Sequence, residues 1–308
     1  CVVGPTATGK TKMGVALAKR FGGEVVSVDS MQIYRGMTIG TAAPTAEETE
    51  GIPHHMVAVA DPAESWSVAR FTEQADRCIQ DILCRGRRPV LVGGTGLYLD
   101  SILSGRTFAA GHSGGEVRRA LQTELAQGGI EPLYRQLQAI DPTAAARLHL
   151  SDEKRILRAL EVFRETGETI TAHDARTRLR PPKYRAYTIG LTFRDRADLY
   201  ERIDCRVDTM VGQGLLQEVE ALLKSGLPET ATALQAIGYK QFLSVYRGDT
   251  PARDAVAEVK LRSRQYAKRQ LTWLRRKEDI HWILWEKTPD FPAGLQNATE
   301  YLLAQGLG

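Results

Sequence analysis

Cysteine is scarce in this chain. Cys1, Cys78, Cys84 and Cys205 are all there are in 308 residues, and their spacing suits no metal. A disulfide framework and a zinc site are therefore excluded, and a reducing cytoplasm fits. Long apolar runs are missing as well. No stretch is long enough to span a bilayer and none is built like a secretory signal, so no membrane partner is expected. Charge of one sign is weak: 41 basic against 37 acidic residues leave +4, too little to imply nucleic acid by itself. Internal repeats and low-complexity segments are absent, which excludes solenoids and biased tails. What is present, 43% hydrophobic and 25% charged residues, describes a soluble globular protein of one large or two modest domains. Nothing demands more than a monomer. Cys1-Val2-Val3 reads as the inside of a strand, so a few natural residues are expected upstream of it.

Gly4-Pro5-Thr6-Ala7-Thr8-Gly9-Lys10-Thr11 fits G-x-x-x-x-G-K-[ST] in full. It follows that apolar run and precedes an apolar-periodic stretch from Met13 to Phe21, the strand–loop–helix setting the motif requires. Glycines let backbone N–H groups curl around phosphate oxygens, and the helix N-terminus adds partial positive charge. Lys10 would reach the terminal phosphates and the Thr11 hydroxyl would hold Mg²⁺. The motif specifies a phosphorylated ligand without saying which, or that it is ATP.

Strands are expected at Val25–Val28, Pro89–Val92, Tyr187–Phe193 and Ile280–Trp285, with a helix over Val68–Leu83. The alternation predicts an α/β fold: a P-loop NTPase-like parallel sheet with helices on both faces. Its ligands would sit at the carboxyl ends of the strands. The phosphate loop, Asp29 and the Gly93-Gly94-Thr95-Gly96 turn would then share one crevice. From Gly111 to Pro182 strand signals give way to helical periodicity. The expected organisation is a catalytic core of residues 1–110 and 183–308 with a helical insertion at 111–182.

Asp29 follows the second strand directly. A carboxylate there can accept a proton from a nucleophile, support a metal, or cap a helix. Gln32 carries the donor–acceptor pair that matches an adenine edge. Thr95 either closes a tight strand-to-helix connection or touches a ligand. Arg202 and Arg206 share a helical face, as do Asp204 and Asp208. Spacing alone favours surface ion pairs, while an arginine facing a departing phosphate is the functional alternative.

From Lys260 to Lys277 eight basic residues run without an acid. On a helical projection most of them cover one half, with Val259, Ser263, Tyr266, Gln270, Trp273 and Leu274 on the other. Such a stripe suits a phosphate backbone. Lys154, Arg155 and Arg158 repeat the pattern on a smaller scale in the insertion, opposite Ile156, Ala159, Leu160 and Phe163.

In sum the chain resembles the tRNA dimethylallyltransferases. The motifs that carry the resemblance run in order: Gly-Pro-Thr-Ala-x-Gly-Lys-Thr at 4–11, Asp-Ser-x-Gln-x-Tyr at 29–34, Ile-Gly-Thr-Ala at 39–42 and Pro-His-His at 53–55. Then come Gly-Gly-Thr-Gly-Leu-Tyr-Leu at 93–99, Arg-Ala-Leu-Glu-Val at 158–162, Ala-Ile-Gly-Tyr-Lys at 236–240 and Tyr-Ala-Lys-Arg-Gln-x-Thr-Trp at 266–273. The resemblance implies dimethylallyl diphosphate in the phosphate loop, Gly4 to Thr11, and N6 of an adenosine beside the tRNA anticodon as acceptor. It implies Asp29 as general base, Lys10 and Arg206 on the departing diphosphate with Arg202 as second choice, and Mg²⁺ on Thr11. It further implies tRNA contacts from Asp29, Ser30, Met31, Gln32 and Thr95, from Lys154, Arg155 and Arg158, from Gln235, Gly238, Tyr239 and Lys240, and from Lys268, Arg269, Gln270, Thr272, Trp273 and Arg275.

Two positions depart from the family pattern. Ala43 stands where Lys is common, and Gln241 where an acid is common. The rival readings are a small-molecule P-loop kinase, a prenyltransferase acting on free adenylate, and an RNA-binding module switched by a nucleotide.

Overall fold

The computed structural model describes residues 1–105, 115–179 and 181–307. Along the chain it runs β1 (Val2–Val3), α1 (Lys10–Phe21), β2 (Gly23–Val28), α2 (Ala46–Thr49), β3 (His54–His55), α3 (Val68–Cys84), β4 (Arg88–Gly93) and α4 (Gly96–Ser104). Five helices follow: α5 (Glu116–Gly128), α6 (Ile130–Ile140), α7 (Pro142–Ala145), α8 (Glu153–Thr166) and α9 (Ile170–Arg178). The rest is β5 (Thr188–Phe193), α10 (Arg196–Gly212), α11 (Leu215–Lys224), α12 (Tyr239–Tyr246), α13 (Ala252–Leu274), β6 (Ile280–Trp285) and α14 (Phe291–Ala304).

Two compact units result, residues 1–100 with 185–308, and residues 101–184. The change of unit falls inside α4, ahead of Gly111, which lies outside the described residues.

In the first unit six strands form one parallel sheet in the order β3-β2-β4-β1-β5-β6, with helices on both faces. Strand β1 is only two residues long but sits in the middle, with Val2 opposite Val92 on one side and Ile189 on the other. Every residue of β2 and β5 is buried, as in strands covered on both faces. Helix α1 buries Met13, Val15, Leu17 and Ala18, and Gly14 lets it close on Val92, whose side chain a Cβ would meet at 2.4 Å. The four expected strands are present, each within two residues of its expected bounds. The short β3 is an addition: His54 and His55 pair with Val25 and Val26.

At the start of β2, Glu24 is buried. It accepts from Arg85 Nη2 at 2.9 Å, and His55 Nε2 lies 2.7 Å from the same oxygen. The Arg85 hydrogen bonds hold its carboxyl down to about 2, against the desolvation that opposes them. Because the folded value lies below the ordinary 4.5, this stabilisation is complete above pH 4.5 and is lost as pH falls toward 2. Glu24→Gln is expected to lower stability at neutral pH by about 2 kcal/mol and to flatten the acid limb of a pH–stability curve. Urea titrations from pH 7 to pH 3 would check both.

The second unit has its own core of Leu121, Leu133, Leu137, Ile156 and Leu160. Arg164 clamps Glu124 with two hydrogen bonds of 2.6 and 2.9 Å, and buried Asp141 accepts from the backbone N–H groups of Ala144 and Thr171. Those contacts explain a stable helical bundle without a sheet.

Candidate active site

The phosphate loop joins β1 to α1. Its backbone turns through positive φ at Gly4 (152°), Ala7 (67°) and Gly9 (82°). A Cβ on Gly4 would lie 2.3 Å from the Leu191 carbonyl, and one on Gly9 would lie 2.4 Å from the Phe291 ring. Glycine is thus required at both for close approach as well as for dihedral freedom. Helix α1 begins at Gly9 with no side-chain cap, which leaves its first N–H groups to an anion.

The loop is braced from outside. Thr8 Oγ1 donates to Pro5 O at 2.9 Å. Gln270 Oε1 accepts from Thr6 N at 3.1 Å while Gln270 Nε2 donates to Gly94 O at 3.0 Å. Trp285 Nε1 donates to Thr8 O at 3.0 Å. Arg202 Nε donates to Ala7 O at 3.3 Å, its guanidinium lying over the Phe193 ring. Arg202 therefore supports the loop from the solvent side and, unlike Arg206, is not among the residues that line the cavity.

A cavity of about 510 Å³ opens beside the loop. Thr6, Ala7, Gly9, Lys10 and Thr11 line it, as do Asp29, Ser30, Met31, Gln32 and Arg206. Gly4, Pro5 and Thr8 are buried behind that lining. Lys10 Nζ donates to Pro5 O at 2.7 Å. Burial, reinforced by the neighbouring Arg206 and only partly offset by Asp29, lowers the Lys10 ammonium to about 7. Burial also lowers Arg206. Two desolvated cations side by side are a cost that a bound anion would repay.

Asp29 Oδ1 accepts from Met31 N at 2.8 Å and Gln32 N at 3.3 Å. Its Oδ2 takes no hydrogen bond among the described residues. One oxygen thus caps a turn, and the carboxylate still borders the cavity. The Gln32 carboxamide is spent within the protein: Nε2 donates to Thr41 O (3.3 Å) and Ala42 O (3.0 Å), and Oε1 accepts from Ser27 Oγ at 2.8 Å. Gln32 consequently shapes the wall, and its amide is not free to read a base edge as expected.

Other expected positions separate by exposure. Gln235, Gly238, Arg269 and Gln270 line the cavity, while Lys240, Lys268, Thr272 and Arg275 are exposed. Tyr239 is fully buried and donates its hydroxyl to Glu218, so it offers no surface to a macromolecule. Buried Gln270 holds the loop as described, which makes it scaffold. Thr95 directly precedes α4, its carbonyl accepting from Leu99 N, and is not among the residues that line the cavity. Trp273 lies against Gly96, where a Cβ would meet its ring at 2.4 Å. Gln241 Oε1 accepts from Gly238 N at 2.9 Å.

The basic run on α13 is not an unopposed stripe. Lys260 pairs with Asp208 and Arg264 with Asp204, both on α10, while Arg262 pairs with Glu258 and Lys277 with Asp100. Exposed charge is left at Lys268, Arg269, Arg275 and Arg276. In the second unit Lys154 and Arg155 are exposed, but Arg158 is bonded to buried Glu161 at 2.8 Å. Sequence reasoning missed Glu48, Met210 and Ser263 on the cavity wall and Glu218 behind it, since none belongs to a local motif.

Comparison with known proteins agrees with this geometry. The IPP transferase family model matches residues 32–277, and the isopentenyl transferase model matches residues 1–58. A tRNA dimethylallyltransferase of Acetivibrio thermocellus is 42% identical over 306 residues, spanning 99% of this chain and 97% of its own. The crystal structure of the tRNA isopentenylpyrophosphate transferase of Bacillus halodurans superposes with a TM-score of 0.73 at 41% identity, over 99% of this chain and 95% of that one. A eukaryotic dimethylallyltransferase, captured acting on tRNA, superposes at 0.81 with 30% identity, over 98% of this chain and 77% of its own. Matched by the IPP transferase model over residues 32–277 and 42% identical to a relative across nearly its whole length, the chain belongs to the IPP transferase family.

Proposed function

We propose that the protein transfers a dimethylallyl group from dimethylallyl diphosphate to N6 of an adenosine beside the anticodon of a tRNA, releasing diphosphate. The observation that carries this reading is a single cavity bordered by the uncapped phosphate loop, two desolvated cations and a carboxylate. Lys10, Arg206 and the N–H groups at the start of α1 hold the diphosphate. The allylic C1–O bond breaks, its electron pair leaves on the diphosphate, and N6 forms the new bond to C1. Asp29 takes the N6 proton. Lining side chains such as Met31, Met210 and Val259 keep water from the allylic carbon while its positive charge is developed.

Mg²⁺ fits the residues present. The Thr11 hydroxyl lines the cavity and makes no hydrogen bond among the described residues. No cluster of three carboxylate, histidine or cysteine ligands is found among them. One hydroxyl plus diphosphate oxygens is the donor set of a cation that keeps most of its waters. When bound, it would neutralise charge on the leaving diphosphate.

The RNA side rests on the exposed cations Lys268 and Arg269 of α13 and Arg275 just beyond its end, with Lys154 and Arg155 on the second unit. The test is to incubate the protein with labelled dimethylallyl diphosphate and tRNA and follow label into RNA. Transfer is expected, weakening steeply with added salt. Label passing to free AMP but not to RNA, or ATP turnover without RNA, would overturn the reading.

A further inference from the structure

Behind the cavity wall one carboxylate gathers an unusual number of donors. Glu218 of α11 accepts from Thr38 N at 2.8 Å, Ile39 N at 2.8 Å, Gly40 N at 3.0 Å and the Thr38 hydroxyl at 3.0 Å. The Tyr239 hydroxyl is a fifth donor. Three successive backbone N–H groups converging on one anion form a nest, and its anion is supplied by a residue about 180 positions away in sequence. Gly40 packs on the Tyr239 ring so closely that a Cβ would lie 2.4 Å from it. The segment is therefore seated from beneath by Tyr239 and held at its N–H groups by Glu218.

The same segment presents its next two carbonyls, Thr41 O and Ala42 O, to the Gln32 amide. Gln32 in turn gives its backbone N–H to Asp29 Oδ1. A continuous set of hydrogen bonds thus runs from Glu218 through residues 38–42 and Gln32 to the carboxylate that borders the cavity. The phosphate loop has separate supports in Gln270, Trp285 and Arg202. The two halves of the cavity are braced independently.

We propose that Glu218 is a positioning residue for the acceptor: it fixes the 38–42 wall, and through Gln32 the setting of Asp29, while leaving the diphosphate half unaffected. This rests on the reading that the cavity joins an isoprenoid diphosphate to an RNA base.

Glu218→Gln retains size but replaces one acceptor oxygen with an NH₂ group aimed at N–H donors. Transfer to tRNA is expected to fall about 10²-fold, the cost of a misplaced reactant. Affinity for dimethylallyl diphosphate, measured by equilibrium binding without RNA, should stay within about twofold of wild type. Gln32→Met cuts the far end of the same connection and should show the same split. The double variant should lose little more than either single one, because both act along one path. Amide hydrogen exchange at Thr38, Ile39 and Gly40 should accelerate in Glu218→Gln alone, a readout independent of any acceptor. Unchanged transfer by Glu218→Gln, fully additive losses, or a parallel fall in diphosphate affinity would overturn the positioning role. Wild-type protein that moves no label into RNA would overturn the functional reading instead.

Discussion

Asp29→Asn should leave the protein folded and able to bind tRNA while lowering prenyl transfer by about 10²–10⁴-fold, the range for removing a general base. Asparagine is the informative replacement. Asp29 Oδ1 accepts from Met31 N and Gln32 N, and an amide oxygen can keep both bonds. The turn therefore survives, and only the capacity to take a proton is removed. Adenosine N6 has little nucleophilicity while its lone pair is delocalised into the ring, so proton removal during attack contributes to the rate. Single-turnover transfer with labelled diphosphate, alongside tRNA binding by filter retention, would separate chemistry from affinity. Turnover within threefold of wild type would exclude Asp29 as the base and leave it a turn cap.

Arg206→Met should lower kcat/KM for dimethylallyl diphosphate by about 10²–10³-fold, the usual result of removing one preorganised donor from a charge that grows in the transition state. Arg206 borders the cavity, and it perturbs Lys10 enough to lower its proton affinity. Both cations border the same cavity. Arg202→Met is the built-in control. It lies one helical turn away, carries the same charge, and touches the loop only through Ala7 O. Its loss is expected to cost less than about tenfold, since an exposed brace contributes little. Steady-state kinetics on the two variants, with tRNA saturating, would decide the assignment. Equal losses would mean that the arginines act through general electrostatics and not through contact.

The contrast between these arginines shows what a sequence holds and what it withholds. Arg202 and Arg206 are equivalent in a helical projection, and only the placement of α10 against the loop separates them. The phosphate loop was legible because its chemistry is compressed into eight neighbouring residues. Asp29 was legible as a strand-end carboxylate; of the roles the sequence posed as alternatives the structure shows the cap, on Oδ1, with the carboxylate still bordering the cavity. The parallel sheet was legible from apolar runs, except β3, whose two residues carry no periodicity. The motifs that mark Gln32 and Tyr239 do not tell which way they face; the structure turns the Gln32 amide to Thr41 O and Ala42 O and the Tyr239 hydroxyl to Glu218. The α13 charges were mistaken for a free stripe because their acids, Asp204 and Asp208, lie some fifty to sixty residues earlier. Glu218 was invisible for the same reason, its partners being about 180 residues distant.

The placement of β1 has a consequence for how the protein is made. Its flanking strands bring Val2 beside Val92 and Ile189, so the middle of the sheet closes only once synthesis has passed Ile189. Until then the leading strand leaves the ribosome without its second neighbour, its apolar residues uncovered, and contacts this distant in sequence form slowly. Gly4, packed on the carbonyl of Leu191, ties the anion cradle to the same event. Nascent or truncated chains that end before that residue should therefore lack a working cradle and should lean on chaperones.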